Sequence, residues 1–437
     1  MAADRPTGRT RLELFIGKGG VGKTTLACAT AMAHTRSGER VLVASLDQAH
    51  SLGDALGFRF RHDPGTVAGV ASVLPGLDVI EIDSLELLED RFRDVLRLLG
   101  NGGAHDHGVD LSTLDPAELT GLPGVQELLM LTEIAGFADE DDWDVIVVDC
   151  PPSADMLRLV TAPETLLNYL DRVWPAHARA LSAGGRDLRR AVLAVTAERV
   201  ATAVAEVRDL LADRGRTGAR LITGAQRVAL AETARVRSAA ALLGLRLDEV
   251  IVNKVLPPVP DTESAHPAVR WYQARRAEQS EVIEELRRRM AGVPVSVSYH
   301  SGPEPVGLDQ LTDLSYAVDS RANRAIPEAD PMLGDTTNTA EPSDIDIADS
   351  RPGEPVVRLE SGAGPRSVFT LRMRLPVVDP ATLRLGRVED DLIVGADGVR
   401  RRMRLAPVLR RCTVDGAELD GDHLIVRFRP DPQVWPR

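Results

Sequence analysis

Residues 12–25 read LELFIGKGGVGKTT, and their reading decides the fold. Leu12 to Ile16 is a short apolar run of the kind that forms a buried strand. Gly17, Gly22, Lys23 and Thr24 then satisfy the phosphate-loop pattern G-x-x-x-x-G-K-[ST], and the helix-like TLACATAMAHTRSG begins at Thr25. A glycine loop between a strand and a helix is where a phosphate cradle has to sit. The backbone N–H groups of Gly17, Gly19, Gly20, Val21 and Gly22 close around phosphate oxygens there, and the helix N-terminus adds positive potential. Lys23 is placed to hold the β- and γ-phosphates of ATP, and Thr24, followed by Thr25, to meet Mg²⁺.

Working outward, the β-branched run VLVAS at 41–45 completes a βαβ opening. Further apolar runs follow at LDVIEI (77–82), WDVIVVD (143–149), ARLITG (219–224), DEVIVNKV (248–255) and VPVSVS (293–298), separated by long helical stretches. Alternation of this kind predicts an α/β fold, a doubly wound parallel sheet with helices on both faces. Helical insertions are expected at about 85–137, broken by the loop NGGAHDHG, and at about 163–213. The charge-laced, alanine-rich residues 186–215 read as an amphipathic surface helix, with a client-binding face as the alternative. Residues 326–355 lose periodicity and fill with Pro, Asp, Thr and Asn, as a flexible linker does. The expected division is therefore an ATPase domain over 1–325, a linker over 326–355 and a small antiparallel β-sandwich over 356–437, whose short alternating runs are punctuated by DG and GD turns.

Composition excludes several classes. A formal net charge of −13 argues against a protein that coats nucleic acid or an anionic membrane. Three cysteines, Cys28, Cys150 and Cys412, lie far apart and make no Cys-x-x-Cys pair, which points to a reducing compartment and to neither a disulfide framework nor a zinc clip. No stretch reaches the ~18–20 uncharged apolar residues of a membrane span, so the expectation is a cytoplasmic protein without stable membrane insertion. His105, Asp106 and His107 could ligate a metal, although such a pair in a glycine loop is ordinarily solvated. The arginines at 372, 374, 384, 387, 400–402 and 404 read as a charged strand face, with a partner surface as the alternative.

Two carboxylates complete the candidate site. Asp149 ends the run WDVIVVD, where a strand's C-terminal end can hold Mg²⁺ through water. Asp47, just past the second strand, is placed to orient an attacking water, or simply to cap the next helix.

Lys18 sets this loop apart, and the form KGGVGKTT resembles the deviant Walker ATPases. Within that class LDQAHSLGDALG (46–57), with Asp47, His50 and Ser51, is similar to the first switch of the ArsA and tail-anchored-protein-targeting ATPase family. The likeness extends through LPGVQELL (122–129), WDVIVVDCPPSADMLRLV (143–160) and 221–257, about three quarters of the chain. It implies that Lys18 reaches a partner subunit's nucleotide, that Asn253 contacts adenine, and that a homodimer or a heterodimer with a paralogue is the active form. The terminal sandwich resembles the small-heat-shock-like domain of some bacterial members. Gln48, Cys150 and Pro152 depart from the family's switch sequences. The implied function is ATP hydrolysis coupled to a protein client or a membrane-protein partner. An arsenite- or antimonite-stimulated pump ATPase is one alternative, although soft ions need convergent thiols. A partition or septum-positioning ATPase is another. A hydrophobic client groove could involve Leu128, Leu129, Met130 and Leu131, which otherwise read as core.

Overall fold

A computed structural model describes residues 9–49, 51–60, 69–90, 125–184, 188–259, 266–290, 292–325, 355–375 and 378–435. His50, the triad at 105–107 and almost all of the expected linker fall outside them. The main sheet is built from β1 (Arg11–Gly17), β2 (Val41–Ser45), β3 (Ala71–Leu74), β4 (Leu77–Glu81), β5 (Val145–Asp149), β6 (Thr217–Gly224), β7 (Leu247–Val255) and β8 (Val295–Tyr299). Its eight strands lie in the order β3-β4-β2-β5-β1-β6-β7-β8. Every pairing is parallel except β3 against β4 at one edge.

The central strands are mostly apolar because both of their faces are covered, with Arg11 and Glu13 of β1 as exceptions. Leu14 and Ile16 of β1, Leu42 and Ala44 of β2, and Ile146 and Val148 of β5 enter one core. Their neighbours Phe15, Val41, Val43, Val145 and Val147 enter the other. On the second face lie α1 (Lys23–Arg36) and α9 (Leu308–Ala325), through Leu26 and Leu311. On the first lie α3 (Val125–Glu140), α4 (Ser153–Val173), α6 (Leu188–Ala212) and α7 (Arg227–Leu243), through Met130, Leu159, Val207 and Val236. The short α2 (Ser51–Leu56) and α5 (Ala176–Ala183) fill in between, and α8 (Pro267–Arg289) packs Val282, Ile283 and Leu286 beside β7.

Two expectations are refined. Leu128, Met130 and Leu131 are buried, the latter two in the main core, so this stretch of α3 serves packing. The boundary at Pro163 falls inside α4, which runs through that proline without a break in its span. No helix among the described residues is long and apolar enough to cross a membrane.

The C-terminal region is a separate antiparallel unit. Strands β9 (Val356–Ser361), β10 (Val368–Arg374), β14 (Cys412–Asp420) and β15 (His423–Pro430) form one sheet in the order β14-β15-β10-β9. It faces a three-stranded sheet of β11 (Arg384–Val388), β12 (Asp391–Ala396) and β13 (Val399–Arg404). Leu371, Met373, Leu392, Val394, Leu424, Val426 and Phe428 fill the space between, joined by Ala241 and Leu242 from the end of α7. Arg401 in β13 donates to the Leu242 carbonyl at 2.6 Å and pairs with Glu164 of α4 at 3.1 Å. Ser238 bonds Asp397 beside this contact. The sandwich thus sits on the helical layer through a small apolar patch ringed by polar bonds.

Candidate nucleotide site

Parallel strands deliver their C-terminal ends to one edge, and the loops that leave them converge there. Gly17 turns out of β1 at φ 152°, where a Cβ would stand 2.2 Å from the Ile222 carbonyl oxygen of β6. Glycine is the residue that lets loop and sheet meet this closely. Gly22 caps α1 at φ 93° and offers no side chain to the helix amides, and no acidic residue sits in the first turn. These amides and the positive end of the helix dipole are therefore left for an anion.

Lys23 is buried at 5% exposure, and its Nζ donates to the Lys18 carbonyl at 3.5 Å. Thr24 Oγ1 donates to Asp149 Oδ2 at 2.7 Å and lies 3.1 Å from Ser51 Oγ. Asp149 is fully buried, and its Oδ1 has no hydrogen-bond partner among the described residues. Burial pushes the Asp149 carboxyl up to about 6, helped by the charge of Asp47 and opposed by Thr24, Lys23 and Ser45. An orphaned carboxylate oxygen beside a hydroxyl is a hard oxygen donor set, and it fits Mg²⁺ rather than a soft ion.

A cavity of about 800 Å³ opens over these groups, lined by Gly19, Gly20, Gly22, Lys23, Thr24, Thr25, Asp47, Pro152 and Asn253, and closed on one side by the loop after β8. Asp47 is half-buried at its wall, with Oδ1 accepting from the Ala49 amide at 3.2 Å. The cap-like bond and the position over the cavity coexist. Gln48, which stands where the resemblance expects proline, donates to Ser84 Oγ at 2.9 Å. Asn253 Nδ2 donates to the Val21 carbonyl at 2.9 Å, so its amide braces the loop as well as lining the cavity. Lys18 is exposed and lines a smaller cavity on the far side of Asn253 and Lys254, together with Gln226, Glu232 and Arg275. The structure thus gathers the expected residues at one edge, with the exposed Lys18 side chain in the smaller cavity, which Gly20, Val21 and Asn253 also line.

A family model described as an anion-transporting ATPase matches residues 10–319, across this whole site. The chain belongs to the ArsA family of anion-transporting ATPases. A second model, an HSP20-like domain found in ArsA, matches residues 367–428. Protein Rv2184c of Mycobacterium tuberculosis is 42% identical, covering 98% of both chains. A protein of Aquifex aeolicus named as a putative arsenical pump-driving ATPase is 25% identical over 95% of this chain and 99% of its own. The ATPase asna-1 of Caenorhabditis elegans is 27% identical over 62% of this chain and 82% of its own.

In this ArsA-family chain the three thiols occupy three different cores. Cys28 lies within α1, Cys150 directly after β5 and Cys412 in the sandwich, and all are buried. Burial pushes each thiol up. They do not converge on a soft-ion site within the chain.

Several site residues escape sequence reasoning. Ser51 belongs to the first-switch motif, but nothing in its spacing gives it a role. The loop HSGPEPVG (300–307), which lines the cavity, carries a usable signal, since its glycines and prolines follow a parallel strand at the functional edge. Ser153, at the start of α4, donates to Glu232 of α7 at 3.0 Å. Lys254 has no signal at all, because VIVNKV reads as uninterrupted strand.

Proposed function

We propose that this ArsA-family protein hydrolyses ATP to ADP and phosphate as a dimerisation-dependent switch, coupled to the binding or delivery of a protein client or to a membrane partner. The observation that carries this reading is the 2.7 Å Thr24–Asp149 bond with its orphaned Oδ1, set beside buried Lys23 in an open cavity. Buried charges left incompletely satisfied are costly unless a ligand completes them. Mg²⁺ at Thr24 and Asp149, the latter through water, and a triphosphate at Lys23 and the amides of Gly19 to Thr25 would do so.

When bound, the metal supplies charge to the phosphate oxygens. Lys23 holds the β- and γ-phosphates, Asp47 orients the attacking water, and Asn253 meets the base. Lys18, exposed and outside the large cavity's lining, reaches the nucleotide of a second subunit. A positive charge supplied in this way is worth ~10³–10⁵ in rate.

A switch does work only where its client prefers one state, and a tenfold preference needs about 1.4 kcal/mol of differential binding. The helical layer offers a surface for this, since Tyr169, Val173 and Leu181 are 60%, 64% and 77% exposed. The pump-driving role that the Aquifex relative's name carries would need thiols brought together from elsewhere, because Cys28, Cys150 and Cys412 sit in separate cores.

The test pairs two measurements. The wild-type protein with Mg²⁺ and ATP is expected to release phosphate well above a Lys23→Ala control, and equal rates would remove the enzyme. Asp47→Asn protein held with ATP is then purified and its companions identified. No enrichment over the nucleotide-free protein would remove the client.

A further inference from the structure

Consecutive side chains on a β-strand point to opposite faces. Asn253 and Lys254 do not. Asn253 Nδ2 donates to the Val21 carbonyl at 2.9 Å, and Lys254 Nζ donates to the Gly20 carbonyl at 3.0 Å. Both side chains therefore land on the same loop. The backbone explains how: Lys254 adopts φ 57°, one of the few non-glycine residues with positive φ, and the β7–β8 register shifts between Val252 and Val255. This left-handed conformation is strained for a lysine. The strand accepts that strain where the side chains of Asn253 and Lys254 both reach the phosphate loop.

The two carbonyls held are those of successive peptide units. In a trans peptide the C=O and the N–H point in opposite directions. A unit whose carbonyl is fixed toward β7 must turn its N–H the other way. Holding Gly20 and Val21 by their oxygens therefore aims the N–H groups of Val21 and Gly22 inward, as donors. Glycine at 20 and 22, at φ 77° and 93°, leaves these peptides free to flip, and a flipped unit would turn a carbonyl toward the phosphates.

The geometry points to Lys254 as a positioning residue: with Asn253 it forms a carbonyl clamp that preorganises the phosphate loop as an anion cradle before any nucleotide arrives. This deepens the proposed ATPase reading and rests on it for the identity of the anion. An amide cradle grips ground state and transition state alike, so its loss falls on binding more than on turnover. Lys254 is the better probe than Asn253, which is also assigned to the base.

Two variants of the full chain test the clamp. Lys254→Met keeps the stem and removes the donor. Lys254→Gly removes the donor and also the strain, so it folds even if the methionine variant does not. In both, KM for ATP with Mg²⁺ is expected to rise about tenfold while kcat stays within about twofold, one charged hydrogen bond being lost. Amide exchange in nucleotide-free protein is expected to quicken over residues 17–25, with the rest of the chain unchanged and the melting temperature of Lys254→Gly no lower than that of wild type. Wild-type KM together with wild-type exchange in Lys254→Gly would overturn the clamp. Exchange needs no ligand, so a wild-type protein that fails to bind ATP or ADP would remove the ATPase reading, while loop exchange still decides the clamp.

Discussion

The functional edge of the main sheet and the faces of the sandwich are both rich in charge, but they treat it differently. In the sandwich, Arg374 pairs with Asp422, Arg402 with Asp391, Arg427 with Glu360 and Glu418, and Arg429 with Asp415, mostly at exposed positions. Arg384 and Arg387 spend their donors on backbone carbonyls of the same unit. At the sheet edge, Lys23 and Asp149 are buried, and one carboxylate oxygen has no hydrogen-bond partner among the described residues. Charge that is paired and wet keeps a surface solvated and contributes little to stability. Charge that is buried and incomplete is tolerated where a ligand finishes the site. Within the tail's arginine cluster, Arg374, Arg384, Arg387 and Arg402 thus spend their charge inside the sandwich and Arg401 spends its charge on Glu164 of α4, while the buried, incomplete charge near Thr24 is where a ligand is proposed to bind.

This contrast can be broken in steps. The largest expected effect is Lys23→Ala, which should abolish the heat of ATP or ADP binding in titration calorimetry; retained micromolar affinity would mean that the buried lysine is structural. Next, Lys18→Ala should leave ADP affinity unchanged but slow phosphate release by ~10³ or more. Wild-type turnover in that variant would return Lys18 to an ordinary exposed loop lysine.

Asp149→Asn addresses the orphaned carboxylate itself. Burial pushes the folded carboxyl up to about 6, above the ~3.9 of an unfolded aspartate. A raised acid pKa means that the folded state holds the proton more tightly. Its contribution is therefore most favourable below about pH 4 and is lost as pH rises through 6. The asparagine variant escapes that loss. Without ligand it should be more stable than wild type by about 2–3 kcal/mol at pH 8 and by nothing near pH 4, as read by urea unfolding at the two pH values. Equal stability at pH 8 would show that the carboxylate is better satisfied than its surroundings indicate.

In the sandwich the effects should be smaller. Arg401→Ala strips Glu164 and the Leu242 carbonyl of a shared, mostly buried partner. It should cost about 1–2 kcal/mol and separate the melting of the sandwich from that of the main sheet in calorimetry. Arg429→Ala, at an exposed pair, should change stability by under about 0.5 kcal/mol; a larger loss would mean that the self-paired face does more than stay wet.

Much of the fold and of the site is legible in the residues alone. The apolar runs from LDVIEI to VPVSVS and the opening strands form the parallel sheet because a strand covered on both faces is apolar at most positions. The phosphate loop and Asp149 are legible because their chemistry fixes residue type and spacing together. The edge strand at 71–74, half-buried and short, lacks that compulsion. Pro163 reads as a helix breaker, while packing on both sides carries α4 through it. Lys254 lies beyond reach, since a left-handed turn of one residue leaves no periodic trace.

The three sealed thiols also bear on how the protein can be watched. With Cys28, Cys150 and Cys412 shut inside separate cores and their thiolates disfavoured by burial, maleimide dyes find no native target in the folded chain. An added exposed cysteine, such as Leu181→Cys on the helical layer, would then take the dye by itself, and the wild-type scaffold could be followed by fluorescence without first replacing any cysteine.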